Sequence, residues 1–181
     1  MNRIHSFYST GEFKQTSRSS HLPVPFALAK IAVTTGLIFL HEYGHALAAS
    51  LLYKNANPEI HFSYYDGYCK YNSSTLSDLG KRIGPAHSTA LVAGAGPVVD
   101  IISLLAITKL TNSDRIAARL LATKAFSLSL YALSALWKCN KEHDFCTVWS
   151  KSGVFAYSAL TACCLATTAL VMRNAFSEIH T

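Results

Sequence analysis

One apolar stretch, from about Phe26 to Tyr53, contains two histidines and a glutamate. It is long enough to cross a bilayer as a helix, because about 20 apolar residues span the hydrocarbon core. Apart from Lys30 near one end and the phenol of Tyr43, its ionisable residues form the pattern His41-Glu42-x-x-His45. A charged carboxylate inside such a span costs roughly 2.5 kcal/mol or more, so it persists only where something pairs or uses it. The stretch therefore predicts a membrane helix built around a polar site.

Helical spacing lets His41 and His45 reach a single metal ion, because residues four apart lie on one face. Glu42 borders that face, about 100° round the helix. On a helix, H-E-x-x-H is a pattern that binds zinc through both imidazoles and uses the glutamate as general base. Glu42 would take a proton from the zinc-bound water and pass it to a leaving amine. The alternative is a chance match with two core histidines, and the apolar surroundings favour metal binding.

Composition supports a membrane location. Half of the residues are hydrophobic and only 14% are charged, below the roughly 25% of soluble domains. A long polar lead precedes the first apolar run, so we expect no signal peptide. The net charge is +6, but the basic residues are scattered, which favours anionic lipid over nucleic acid as a partner. The five cysteines show no zinc-ribbon or disulfide spacing, and we expect reduced thiols.

The apolar runs predict an all-α integral membrane protein with about four transmembrane helices. We place the helices at about 26–53, 85–110, 116–137 and 154–172. Together they form one domain over 26–173, between a polar N-terminal tail over 1–25 and a C-terminal tail over 174–181.

The segment 54–83, between the first two predicted helices, is polar. Apolar and polar residues alternate from Ile60 to Tyr64, and Asp66-Gly67 follows. An Asp-Gly pair between alternating segments predicts a small β-hairpin. The alternative is an irregular aromatic loop at the membrane interface.

The second predicted span carries Asp100 shortly after Gly94, Gly96 and Pro97. A carboxylate inside a membrane span is a functional candidate by default. The alternative for Asp100 is a structural hydrogen bond to a neighbouring helix. The glycines and the proline open the backbone and let another helix approach closely.

A catalytic zinc takes three protein ligands and keeps one position open, so a third ligand must come from another element. The polar block 138–146, between the third and fourth predicted spans, offers candidates. We predict Asp144, which would complete a His2Asp site, and His143 is the closest alternative. Weaker alternatives are Asp100, Glu142 and His87. If Asp144 is not a ligand, we expect a helix N-cap or a solvated loop acid.

Taken together, these residues resemble the site-2 protease family of intramembrane zinc metalloproteases. The similar pieces are a membrane-helix motif, a segment of the next span and a downstream acid: His41-Glu42-Tyr43-Gly44-His45, Gly96-Pro97-x-x-Asp100 and Asp144. The resemblance covers about 26–150, most of the chain. Three features differ from the family pattern. The family usually has Asn in place of Asp100 and Gly in place of Phe145, and the Pro that it usually has near the third ligand is missing here.

The resemblance implies that His41, His45 and Asp144 hold Zn2+ and that Glu42 activates the zinc-bound water. It also implies that the 54–72 segment forms a small sheet near the site. In the family, the edge of such a sheet is thought to hold the substrate as an added strand, which exposes peptide bonds that a helix would hide.

The resemblance further suggests that Asp100 and Asn140 contact the substrate. We expect a multi-pass protein of the cell or inner membrane that acts as a zinc metalloendopeptidase on membrane proteins or peptides. One alternative is a membrane metal-binding or metal-transport protein. Another is a catalytically inactive relative that binds membrane partners.

Overall fold

The computed structural model describes residues 2–6, 24–111, 115–139 and 143–177. Within them lie five helices, α1 (Val24–Leu52), α2 (Asp78–Ile83), α3 (Pro85–Leu110), α4 (Arg115–Ser134) and α5 (Asp144–Ser177). Three strands accompany the helices, β1 (Asn2–Ser6), β2 (Glu59–Phe62) and β3 (Gly67–Tyr71). The prediction of a mostly helical fold with a hairpin between the first two long helices is confirmed.

Three helices of the described residues are long and apolar enough to cross a membrane, namely α3, Ile116–Ser134 of α4, and α5. Their positions agree with the last three predicted spans. The 29-residue helix α1, which contains the first predicted span, is not among them. The described part of α1 carries Lys30 and the polar group His41, Glu42 and His45.

The long helices pack as a bundle in which α3 contacts both α1 and α5, and α4 packs mainly on α5. A large apolar cluster joins α3, α4 and α5 and includes Leu37 of α1. A second cluster joins Ala49 and the end of α1 to β3, α3 and the start of α5. The histidine motif lies on α1 between Leu37 and Ala49, so packing holds the helix on both sides of the motif. Between helices in a bilayer, such packing stabilises chiefly through van der Waals contact.

Helix α5 changes direction at Gly153, whose φ of 85° and ψ of 173° interrupt the helical conformation. Glycine adopts a positive φ without the steric cost that a Cβ would bring. The predicted fourth span, 154–172, begins directly after this kink. Residues 144–152 therefore form a short leading segment, and that segment begins with Asp144.

The predicted hairpin consists of β2 and β3, which pair antiparallel with Phe62 opposite Gly67. The N–H of Ser63 donates to the carbonyl of Asp66 at 2.7 Å. The N–H of Gly67 donates to the Asp66 carboxylate at 2.8 Å, so the predicted Asp-Gly pair forms the turn. A short helix that was not predicted, α2, follows the hairpin, and the Ser77 hydroxyl caps it by accepting from the N–H of Gly80.

The third strand comes from the predicted N-terminal tail. β1 pairs antiparallel with the other edge of β3, with Ser6 opposite Gly67 and Asn2 opposite Tyr71. The strand order is therefore β1-β3-β2, with β3 in the centre. β1 was not predicted, because a strand of five residues leaves no periodic signal within a polar segment.

A disulfide joins Cys139 to Cys146 across the connection from α4 to α5. The expectation of reduced thiols is therefore wrong for this pair. Two cysteines seven residues apart give no framework signal, because their pairing depends on how the chain turns between the two helices. Among the described residues, Cys69, Cys163 and Cys164 are free.

Candidate metal centre

Two helices bring His41, His45 and Asp144 together. One ligand atom from each side chain lies within 4.8 Å of the others. The Nε2 atoms of the two histidines are 3.1 Å apart. The Oδ2 atom of Asp144 lies 3.2 Å from Nε2 of His41 and 3.6 Å from Nε2 of His45. All three side chains are buried, and together they could hold a metal ion.

The outer nitrogen of each imidazole has a hydrogen-bond partner on α3. Nδ1 of His45 donates to the carbonyl of Val92 at 2.7 Å. Nδ1 of His41 donates to Oδ2 of Asp100, also at 2.7 Å. Because a carbonyl and a carboxylate accept, these bonds place the proton on Nδ1 and leave a lone pair on Nε2 of a neutral ring. Partners of this kind orient metal-binding histidines and select their tautomer.

The group therefore directs several acceptor atoms at one another inside the protein. Two Nε2 lone pairs meet a carboxylate, and such a set is costly to bury unless a cation or protons lie between its members. The Oδ1 atom of Asp144 is also buried, and it has no hydrogen-bond partner within the described part of the chain. Two imidazoles and one carboxylate are ligands that zinc accepts while keeping one position open. The residues present thus fit a zinc ion.

Gly96 lets α3 pass directly over the two imidazoles. A Cβ at this position would overlap the ring of His45 and lie 2.7 Å from Nε2 of His41. The glycines of α3 were predicted to allow close helix packing, and at Gly96 the close neighbours are the two histidines. This approach places Val92 and Asp100 of α3 where they can hold the rings.

Glu42 is fully buried next to the histidines, and the start of β3 covers it. A Cβ on Gly67 would lie 2.7 Å from Cγ2 of Ile38 and 3.0 Å from Cγ of Glu42. Only glycine therefore allows the strand to begin this close to α1. Burial, together with the nearby Glu42 carboxylate, raises the pKa of the Cys69 thiol on β3 to about 12.

Tyr131 of α4 contacts the third candidate ligand from the opposite side. Its hydroxyl donates to Oδ2 of Asp144 at 3.3 Å and accepts from the backbone N–H of the same residue at 3.2 Å. The phenol ring stacks on His143 with 4.2 Å between the centroids. Tyr131 was not predicted as a site residue, because one tyrosine in an apolar helix gives no signal that separates it from a core or interface residue.

The other candidate residues occupy varied positions. His143 lies beside the group, where Nε2 is 2.9 Å from the Ser134 hydroxyl, and burial lowers its pKa. Asp100 binds the outer nitrogen of the first histidine, so it forms the hydrogen bond to a neighbouring helix that the sequence left open. His87 is exposed near the start of α3. Asn140 and Glu142 lie outside the described residues.

Comparisons with protein-family models, with curated proteins and with solved structures found no match for this chain. The likeness to the site-2 protease family therefore stays a prediction from the motifs. The function proposed below depends on the residues of the site and on their geometry.

Proposed function

We propose that this chain is an intramembrane zinc metalloprotease that hydrolyses peptide bonds of membrane-associated substrates. The observation that supports this most is the buried group of His41, His45 and Asp144 with Glu42 beside it. Three protein ligands of this type leave one of the four usual zinc positions open, which is typical of catalytic rather than structural sites.

A bilayer around the bundle is consistent with its outer surface. Large apolar side chains are exposed on all three candidate spans, among them Ile102, Phe126 and Phe155. Extended exposed apolar surface marks a site of contact with a partner or a membrane. The length and hydropathy of α3, α4 and α5 favour the membrane.

Each residue of the site has a separate part in the proposed reaction. When bound, zinc would polarise the substrate carbonyl and lower the pKa of a water in its open position. Glu42 takes the proton of the attacking water and passes it to the leaving amine. His41, His45 and Asp144 would hold the ion, and Asp100 keeps the proton of His41 on Nδ1. The buried surroundings strengthen the charge interactions of these groups.

The direct test is the zinc content of the detergent-purified protein, measured with cleavage of a pool of quenched fluorescent peptides. We expect about one zinc per chain in the wild type. Asp144→Ala should lose the zinc, whereas His143→Ala, the matched neighbour, should retain it. Glu42→Gln should retain the zinc and lose cleavage. A wild-type protein that takes up no zinc in metal-replete conditions would contradict the proposal.

A further inference from the structure

The central strand β3 is paired on both edges, and one partner is the start of the chain itself. β2 takes one edge through the hairpin. β1 takes the other edge, with Ile4 opposite Cys69 and Ser6 opposite Gly67. Neighbouring strands lie about 4.8 Å apart, so the backbone of β1 runs one strand away from the residue that covers Glu42.

β1 also contacts α5, the helix that begins with Asp144. Its two neighbours are therefore the strand next to the proposed base and the helix that carries the third candidate ligand. A peptide segment that approaches the site in an extended conformation needs a free strand edge to pair with. β1 occupies the edge of β3 that β2 leaves open.

The sequence of β1, Asn2-Arg3-Ile4-His5-Ser6, contains a single strong strand former. Strand pairing of this composition is weak by itself. Because β1 belongs to the same chain as β3, its pairing is intramolecular and competes with a separate peptide that is present at low concentration. A strand of the same chain that pairs weakly can occupy the edge of β3 and still be displaced by an extended peptide.

We propose that residues 2–6 are an intramolecular ligand of the β3 edge and that an extended peptide must displace them to bind next to Glu42. The inference rests on the proposed function only in identifying that peptide as a substrate. The pairing of β1 with β3 is independent of any metal or reaction.

The test is the binding of a fluorescein-labelled peptide with the sequence of residues 1–8, followed by anisotropy. The binding protein carries Glu42→Gln, so that hydrolysis does not interfere. The full chain is compared with a chain that lacks residues 2–6, and a scrambled peptide is the control. If β1 holds the edge about 90% of the time, the deletion should strengthen peptide binding about tenfold.

A matched pair of substitutions repeats the test in the full-length chain. Ile4→Pro disrupts strand pairing, whereas Ile4→Val keeps strand propensity and shape. The proline variant should bind the peptide like the deleted chain, and the valine variant like the parent. Equal affinity in all four chains overturns the proposal, as does weaker binding after the deletion together with no gain from Ile4→Pro.

Cleavage by the same chains with Glu42 intact separates the two proposals. Tighter peptide binding without cleavage in any chain would leave the β1 inference standing and contradict the protease. Cleavage at equal rates by all chains, together with equal peptide affinity, would support the protease and contradict the β1 inference. If both are right, the deleted chain should cleave the peptide pool faster than the full chain at low substrate concentration.

Discussion

The two histidines and the aspartate of the site are held in different ways. His41 and His45 lie one turn apart on α1, and α3 fixes both rings from behind through Asp100 and a backbone carbonyl. Asp144 begins α5 at the end of a long connection, and Tyr131 contacts it from α4. Helical periodicity alone creates the first arrangement, whereas the second exists only after three helices have packed. The histidine pair can therefore be predicted from its spacing in the sequence, whereas the position of Asp144 depends on how the helices pack.

The largest effect on the arrangement of His41 and His45 is expected when the space above their rings is filled. Gly96→Ala puts a methyl group into both imidazoles, and overpacking of this kind costs roughly 1–3 kcal/mol. We expect the variant to lose bound zinc and to unfold at a lower temperature, as measured by metal analysis and thermal melting. Gly94→Ala is the matched control, since its Cβ would meet Cγ2 of Val148 at an ordinary 3.6 Å. Retention of zinc by Gly96→Ala would contradict the close approach of α3.

Removing the partner of His41 should have the next largest effect. Asp100→Ala deletes the acceptor of the Nδ1 proton, and such losses typically weaken metal binding by about 10- to 100-fold. Asp100→Asn keeps an acceptor oxygen and should weaken it less. Competition with a zinc chelator measures both affinities. If Asp100 acts only on the substrate, both variants will bind zinc like the wild type.

Loss of Tyr131, the hydrogen-bond partner of Asp144, should lower zinc affinity less than loss of Asp100. Tyr131→Phe removes the hydroxyl that contacts Asp144 but keeps the ring that stacks on His143. Of the two hydrogen bonds that this hydroxyl makes with Asp144, only one reaches the carboxylate. The loss of that bond is worth about 1 kcal/mol, so zinc affinity should fall about fivefold. The same chelator competition applies. If Tyr131→Phe lowers zinc affinity more than Asp100→Ala does, the expected order of the two effects is wrong.

The smallest expected effect concerns the thiol next to Glu42. Because the pKa of Cys69 is raised from 9.0 to about 12, the thiol stays protonated and should react slowly with iodoacetamide at pH 8. The raised pKa favours the folded protein below about pH 9, and that contribution is lost as the pH rises towards about 12. Mass spectrometry of the native and the denatured protein measures the difference. Equal alkylation in both states would contradict the burial of this residue.

The sequence predicted the features that depend on local pattern. The second span, the Asp66-Gly67 turn and the histidine pair all follow from periodicity or turn chemistry, and the structure has them. Asp144 was predicted from the number of ligands that zinc needs, with His143 left as an alternative. The two residues are adjacent in the sequence. Only the packing of the helices shows that the carboxylate of Asp144 lies against the two histidines, whereas the imidazole of His143 contacts Ser134.

The remaining features depend on contacts between distant segments. The hydrogen bond of Asp100 to His41, the contact of Tyr131 with Asp144 and the pairing of β1 with β3 join residues that share no local pattern. Each contact stabilises only the folded chain, where a buried polar atom without a hydrogen-bond partner would cost free energy. Composition and spacing carry no record of such pairings.

The disulfide between Cys139 and Cys146 has a consequence for the two faces of the membrane. Disulfides persist in oxidising compartments and are rare in the reducing cytosol. The hairpin lies at the same end of the bundle, because one apolar cluster joins Tyr71 of β3 to Val148 of α5. We therefore expect the connection from α4 to α5 and the hairpin to lie on the same side of a membrane, the side that faces an oxidising compartment.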